Sequence, residues 1–433
     1  MLRIKSFHPE TSQALILYFA MTGALTSVRN VSLGFLVCLT LLPSLSVEQE
    51  IPLDYRLNEH IVLIPAGKNG KAMLETTVFQ PNGPGPYPLL IINHGKEAGP
   101  PSQQQRDRFI FMATAFVKRG YAVMVPMRQG FANSTGRYRD YGCNMTANGY
   151  AQADDVRAAV DFARAQDWID PERIVVVGQS YGGMATLALG TQELPGVRGL
   201  INFAGGLRDE ANHCDWRSEL VRAFGTYGAS NRIASLWLYG ANDSLFGPEL
   251  VTRMHDAYVR SGGQARLVEY GNFKRDAHGM IASRDGEKIW WRETEPFLKQ
   301  IGMPTEERYK VTIQPSLPQT DFARLDDVDA VPYLGEHGHA GYREYLGKLM
   351  PRAFAVSPNG AWCWAEDGED PDSRALETCE KRAGQPCRLY SVDEHVVWRG
   401  APADLERAGT IASQSPANAD GAVGGTVATG ATN

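Results

Sequence analysis

The stretch from Arg173 to Gly183 (RIVVVGQSYGG) constrains this chain more than any other. Ile174 to Val177 form an unbroken aliphatic run of the kind found in a strand buried on both faces, and it leads directly into G-x-S-x-G. Met184 to Leu189 then read as a helix. A serine on a sharp turn between a buried strand and a helix presents its Oγ at the carboxyl edge of a sheet, and the flanking glycines permit the tight backbone. The helix start at Tyr181 offers a free N–H beside it. The pentapeptide pattern alone is weakly specific; the strand before it and the helix after it supply the specificity.

The same strand-helix grammar recurs along the chain. His60 to Ile64 and Met73 to Phe79 alternate apolar and polar residues around a Gly67 to Gly70 turn, which suits an antiparallel hairpin. Pro88 to Ile92 and Tyr121 to Pro126 are buried-type strands separated by a helical stretch, Phe109 to Arg119. After a long polar loop from Met127 to Asn148 come a helix at Ala151 to Gln166, the serine strand, and a strand at Val197 to Phe203. An insertion from Gly205 to Arg232 precedes a strand at Ser235 to Tyr239. A helix at Glu249 to Arg260, a strand at Ala265 to Tyr270 and a closing helix at Ile289 to Ile301 follow. Such alternation implies an α/β protein with a mostly parallel, twisted sheet and helices on both faces.

Flanking segments differ in composition. Val31 to Val47 is uncharged, follows Arg29 and ends in small residues, so residues 1–46 read as a secretory signal peptide with a start at Met1 or Met21. Pro43 and the short apolar run argue against a retained membrane span. The catalytic domain is expected over 50–302. A Pro-rich linker at 303–320 and a small α+β unit at 321–398 follow, and an Ala/Gly/Thr/Ser-rich tail at 399–433 is expected to be disordered. Cleavage of the signal would remove Cys38 and leave five of the six cysteines. Two disulfides and one free thiol are then expected, the first choice of pairing being Cys143 with Cys214 and Cys379 with Cys387. The spacings fit no zinc site, and a net charge of -6 gives no basic face for nucleic acid.

A serine nucleophile needs a base and an acid, which in this strand order follow it as acid, then histidine. Asp243, just beyond the Ser235 to Tyr239 strand, is the candidate acid, with an Asx-turn as its alternative role. His278, in the loop after the Ala265 strand, is the candidate base; His255 sits mid-helix, and His337, His339 and His395 fall in the C-terminal unit. Tyr181 and Lys96 are the expected backbone donors to an oxyanion, leaving the His94 side chain a structural role. Phe131, Arg128, Trp216 and Phe246 are expected around the substrate, with Lys96 and Arg128 at the rim.

With these residues in place, residues 60–301 resemble the dienelactone-hydrolase and prolyl-oligopeptidase-like branch of the α/β-hydrolase superfamily. The motifs that carry the resemblance are Asn93-His94-Gly95, Val125 to Phe131, Gly178 to Gly183, Gly240 to Asp243 and Ala277-His278. Similar exported bacterial proteins share the layout, C-terminal extension included. The resemblance implies an acyl-enzyme mechanism without metal or organic cofactor. Dienelactone hydrolase proper uses a cysteine where this chain has Ser180, so its substrate does not carry over. The expected activity is hydrolysis of small carboxylic esters by an exported enzyme. A peptidase or amidase is the alternative, and a non-catalytic cell-envelope binding protein the second alternative. The sequence leaves the oligomeric state open.

Overall fold

The computed structural model describes residues 53–400 except 98, 210–213, 312–316, 349 and 367–370. The expected signal peptide and the expected tail from 401 onward lie outside the described residues. Eight strands form the main sheet: β1 (His60–Ala66), β2 (Ala72–Phe79), β3 (Tyr87–Asn93), β4 (Ala122–Pro126), β5 (Ile169–Gln179), β6 (Val197–Phe203), β7 (Ser235–Tyr239) and β8 (Ala265–Glu269). Their spatial order is β1-β2-β4-β3-β5-β6-β7-β8. The opening hairpin pairs antiparallel, β2 meets β4 antiparallel, and every later pairing is parallel. The protein therefore has the α/β-hydrolase fold.

Alternation along the buried strands divides the core in two. Leu89, Ile91, Ile174 and Val176 face one layer with residues of α2 (Met145–Arg164), α3 (Tyr181–Leu189), α4 (Trp216–Ser230) and α5 (Pro248–Arg260). Leu90, Ile92, Val175 and Val177 face the other, with α6 (Glu287–Gln300) and α1 (Ile110–Lys118). Burial on both faces is what makes these strands continuous apolar runs.

Two elements differ from the sequence expectation. Helix α2 begins six residues earlier than its apolar pattern suggests, because Asn144 caps it by accepting the Ala147 N–H at 3.0 Å. Its first turns hold Asn148 and Gly149, which are poor helix formers. Gly149 is required there, since a Cβ would lie 2.1 Å from the Tyr227 hydroxyl of α4. The expected insertion after β6 is instead largely helix α4, which packs on α2 and α5 and carries the chain from β6 to β7.

Beyond the main sheet lie α7 (Glu336–Leu346), β9 (Arg352–Val356), β10 (Trp362–Glu366), α8 (Pro371–Ala383), β11 (Arg388–Val392) and β12 (His395–Val396). The four strands form a small antiparallel sheet in the order β10-β9-β11-β12. Tyr342, Tyr345, Phe354 and Tyr390 build its core on one face and Ala355, Ala375 and Cys379 on the other. Disulfides join Cys143 to Cys214 and Cys379 to Cys387, and Cys363 is a buried free thiol. Among the described residues no helix is long and apolar enough to cross a membrane.

Candidate active site

Ser180 sits between β5 and α3 with φ 53° and ψ -123°, a conformation that costs a non-glycine residue about 1–3 kcal/mol. Neighbouring glycines make it attainable by letting backbone touch backbone. A Cβ on Gly178 would lie 2.1 Å from the Gly182 carbonyl oxygen, and one on Gly182 would lie 2.2 Å from the Asn93 carbonyl oxygen. The Ser180 N–H donates to Phe203 at 2.9 Å, and its C=O accepts from Met184 and Gly206 at 3.1 and 3.0 Å. Tyr181 N–H precedes the first intrahelical bond and belongs to the unpaired first turn of α3.

The loop after β3 is held from beneath. Asn93 donates to Thr186 Oγ1 of α3 at 2.8 Å. The fully buried His94 places Nδ1 2.7 Å from the Gly95 carbonyl, and its Nε2 accepts the Arg128 N–H at 3.0 Å. Burial, and then the nearby Arg128 charge, hold the pKa of this imidazole well below its ordinary value, so it is neutral. Arg128 donates to the His94 carbonyl at 2.6 Å, the Gly95 carbonyl at 3.3 Å and Gln152 Oε1 at 2.8 Å. With the Gly95 carbonyl turned toward Arg128, the Lys96 N–H across the trans peptide is turned the opposite way, and Gly95 and Lys96 both line the cavity at Ser180.

His278 Nδ1 lies 3.2 and 3.1 Å from the two Asp243 carboxylate oxygens. Asp243 also accepts the Leu245 and Phe246 N–H groups, each at 2.9 Å, so the Asx-turn role and the contact to histidine coexist in one carboxylate. Ser180 and His278 line the same cavity of about 80 Å³ with Lys96, Gln104, Asp107, Phe109, Leu245, Asp276, Ile281, Ala282 and Met350. His255 points away, its Nε2 3.2 Å from the Ala265 carbonyl and its ring against Trp237.

The four residues expected around the substrate are placed differently. Arg128 is buried and braces loop carbonyls rather than standing at the rim, and burial lowers its pKa to about 10, which leaves it charged. Phe131 packs edge-on against His94 and Tyr138 beneath the loop, because its apolar ring gains more there than in an open cleft. Trp216 opens α4 and joins the core under Arg217, whose guanidinium lies 4.3 Å from its ring. Phe246 is buried 5.7 Å from the His278 ring, where it backs the imidazole. Among the described residues none of the four lines the cavity.

Sequence reasoning passed over Asp276. Its Oδ1 accepts the N–H groups of His278 at 2.9 Å and Ser244 at 3.1 Å, and its Oδ2 accepts Ser244 Oγ at 2.6 Å, which pins the histidine loop to the loop of Asp243. The Asp-x-His spacing was the available signal, since an Asp side chain commonly accepts the N–H two residues on.

A carboxylate, an imidazole and a serine gathered at the carboxyl edge of this sheet place the protein in the α/β-hydrolase superfamily, as a serine hydrolase of the esterase or peptidase type. Residues 69–297, more than half of the chain, match the X-Pro dipeptidyl-peptidase (S15) family. The chain belongs to that family. A stretch of 111 residues is 32% identical to the quorum-quenching protein AidA of Acinetobacter baumannii, covering 26% of this chain and only 33% of that protein. The chain thus spans about a third of the length of this curated relative. The ferulic-acid-bound Est1E of Butyrivibrio proteoclasticus is 18% identical with a TM-score of 0.42, over 56% of this chain and 99% of Est1E. The acylaminoacyl peptidase of Pyrococcus horikoshii is 16% identical with a TM-score of 0.44, over 58% of this chain and 43% of the peptidase.

Proposed function

We propose that this protein is an exported hydrolase of small carboxylic esters, with Ser180 as nucleophile, His278 as general base and Asp243 as the carboxylate that orients the imidazole. His278 takes the Ser180 proton as Oγ attacks the ester carbonyl, and the oxyanion is met by the N–H groups of Tyr181 and Lys96. The alkoxide leaves with the proton from His278, and water, activated by the same base, releases the acid. The observation that carries the ester reading is the cavity beside Ser180: small, and lined in part by Phe109, Leu245, Ile281, Ala282 and Met350. Such a lining suits a short acyl group. Export is supported by the uncharged N-terminal run and by two disulfides, which persist in oxidising compartments. N-terminal sequencing of the mature protein tests export: an intact start at Met1 or Met21 would refute it.

A second reading, peptide cleavage, is favoured by the family match and by Glu97 and Asp107 in the cavity wall, which could face a substrate ammonium. Hydrolysis of p-nitrophenyl esters against aminoacyl and X-Pro p-nitroanilides separates the two. The expected result is faster turnover of short-chain esters, and faster cleavage of an anilide moves the protein to the peptidase reading. Loss of both activities in Ser180→Ala assigns them to this site.

A further inference from the structure

The cavity is not built by the main sheet alone. Met350, which precedes β9, is buried and lines it beside Ile281 and Ala282. The Met350 carbonyl is seated on the histidine loop, where a Cβ on Gly279 would lie 2.4 Å from its oxygen. Glycine directly after His278 is therefore a requirement of this contact.

Two basic residues of the same loop reach into the C-terminal unit. Lys274 Nζ lies 2.5 Å from Asp393 Oδ2 and 3.0 Å from Asp285 Oδ2, and Arg275 donates to the Leu346 carbonyl at 2.6 Å. Asp393, at the tight turn between β11 and β12, accepts the Arg352 N–H through its other oxygen at 3.0 Å. The Arg352 guanidinium is buried at the carboxyl end of α7, donating to Tyr345 and Leu346 carbonyls at 2.7 Å each and to Lys348 at 3.1 Å. A cation there satisfies carbonyls that a helix end leaves open. The connections thus run from His278 through Lys274 to Asp393 and Arg352, and return to the cavity at Met350. Lys274 is largely withdrawn from water, and its two carboxylate partners outweigh that burial and raise its pKa, so Lys274 stays protonated.

We propose that the C-terminal unit is a working part of the active site: Met350 closes the apolar wall and limits acyl length, and the Lys274–Asp393 pair positions the loop that carries His278. This rests on the ester-hydrolase reading above. Met350 is thereby a specificity-determining residue and Lys274 a positioning residue.

The test uses the full chain with p-nitrophenyl acetate, butyrate and octanoate, and a separate sample is labelled with a fluorophosphonate probe. Met350→Ala should raise the octanoate-to-acetate ratio of kcat/KM about ten-fold, the scale on which a hydrophobic pocket discriminates chain length. Met350→Phe should lower it. Lys274→Met should reduce kcat about ten-fold, through a misplaced imidazole, with KM for acetate near its original value. Lys274→Arg should restore kcat, and amide exchange across 272–283 should quicken in Lys274→Met but not in Lys274→Arg. A wild type that labels, with folded Met350 variants that keep the original ratio and a Lys274→Met loop that exchanges at the original rate, overturns the inference and leaves the hydrolase reading standing. A wild type that fails to label overturns both.

Discussion

Ser180 is held by backbone packed on backbone, whereas His278 is held by side chains drawn from distant parts of the chain. Around the serine, Gly178 and Gly182 let β5, α3 and the loop after β3 approach more closely than any Cβ would allow. Around the histidine, Asp243 and Asp276 fix the ring and its N–H, the Gln179 amide lies 3.4 Å from its carbonyl, and Lys274 and Arg275 reach to Asp393 and Leu346. The first kind of support is short-range and stiff, and the second depends on charges and hydrogen bonds that can be removed one at a time. Substitutions of the elbow glycines should therefore act on folding, and those of the residues bracing the histidine loop on turnover.

The largest expected effect separates chemistry from folding. Ser180→Ala and His278→Ala should each lower kcat by about 10⁴-fold or more while circular dichroism and thermal unfolding stay near those of the parent. Removing the hydroxyl should leave the turn intact because its shape is set by the glycines. If His255→Ala abolished turnover and His278→Ala did not, the base would be misassigned.

Gly182→Ala attacks the elbow itself. Its methyl would lie 2.2 and 2.5 Å from the carbonyl oxygens of Asn93 and His94, both backbone atoms that cannot rotate aside. A cost of about 3 kcal/mol in urea unfolding is expected, at the upper end for overpacking. Unchanged stability would mean that the loop after β3 is softer than its contacts suggest. Asp276→Ala, in contrast, should leave stability nearly intact and lower kcat about ten- to hundred-fold by releasing the histidine loop. Equal losses of stability in the two variants would erase the distinction between the regions.

The same difference explains what could be read in the sequence. The elbow was legible because its determinants lie within eleven residues of an apolar strand, a serine and the glycines that serve it. The mostly parallel sheet and the choice of Asp243 and His278 as strand-end candidates came from chain order, since parallel crossovers bring each strand's carboxyl end to one edge. Helix α4 was missed because Gly225, Gly228 and two serines dilute its apolar pattern, although Asp215 caps it by accepting the Ser218 N–H at 3.1 Å. Arg128 was misplaced because a charged residue after a strand reads as solvent-facing, and only the three-dimensional loop reveals carbonyls that need a buried donor. The Lys274–Asp393 pair spans 119 residues and the Met350 contact is set by shape, so neither leaves a local pattern.

His94 allows the rigid side of the comparison to be probed through pH. The folded protein keeps this imidazole neutral by burying it and by using its Nε2 as the acceptor for the Arg128 N–H, while the unfolded chain titrates near the ordinary value of 6.5. Because the folded pKa is depressed, the stability tied to His94 is complete above 6.5 and drains away as pH falls below it, as the unfolded state takes up a proton that the folded state refuses. The slope from one such proton approaches about 1.4 kcal/mol per pH unit. His94→Gln should be less stable than the parent at pH 7, having lost its fit between Arg128 and Gly95, yet its stability should fall less steeply between pH 6.5 and pH 5. Carboxylate titrations are common to both proteins and largely cancel in that difference. Parallel curves would mean that His94 takes up its proton while still folded, breaking the bond from Arg128, and the loop after β3 would then be as adjustable as the loop of His278.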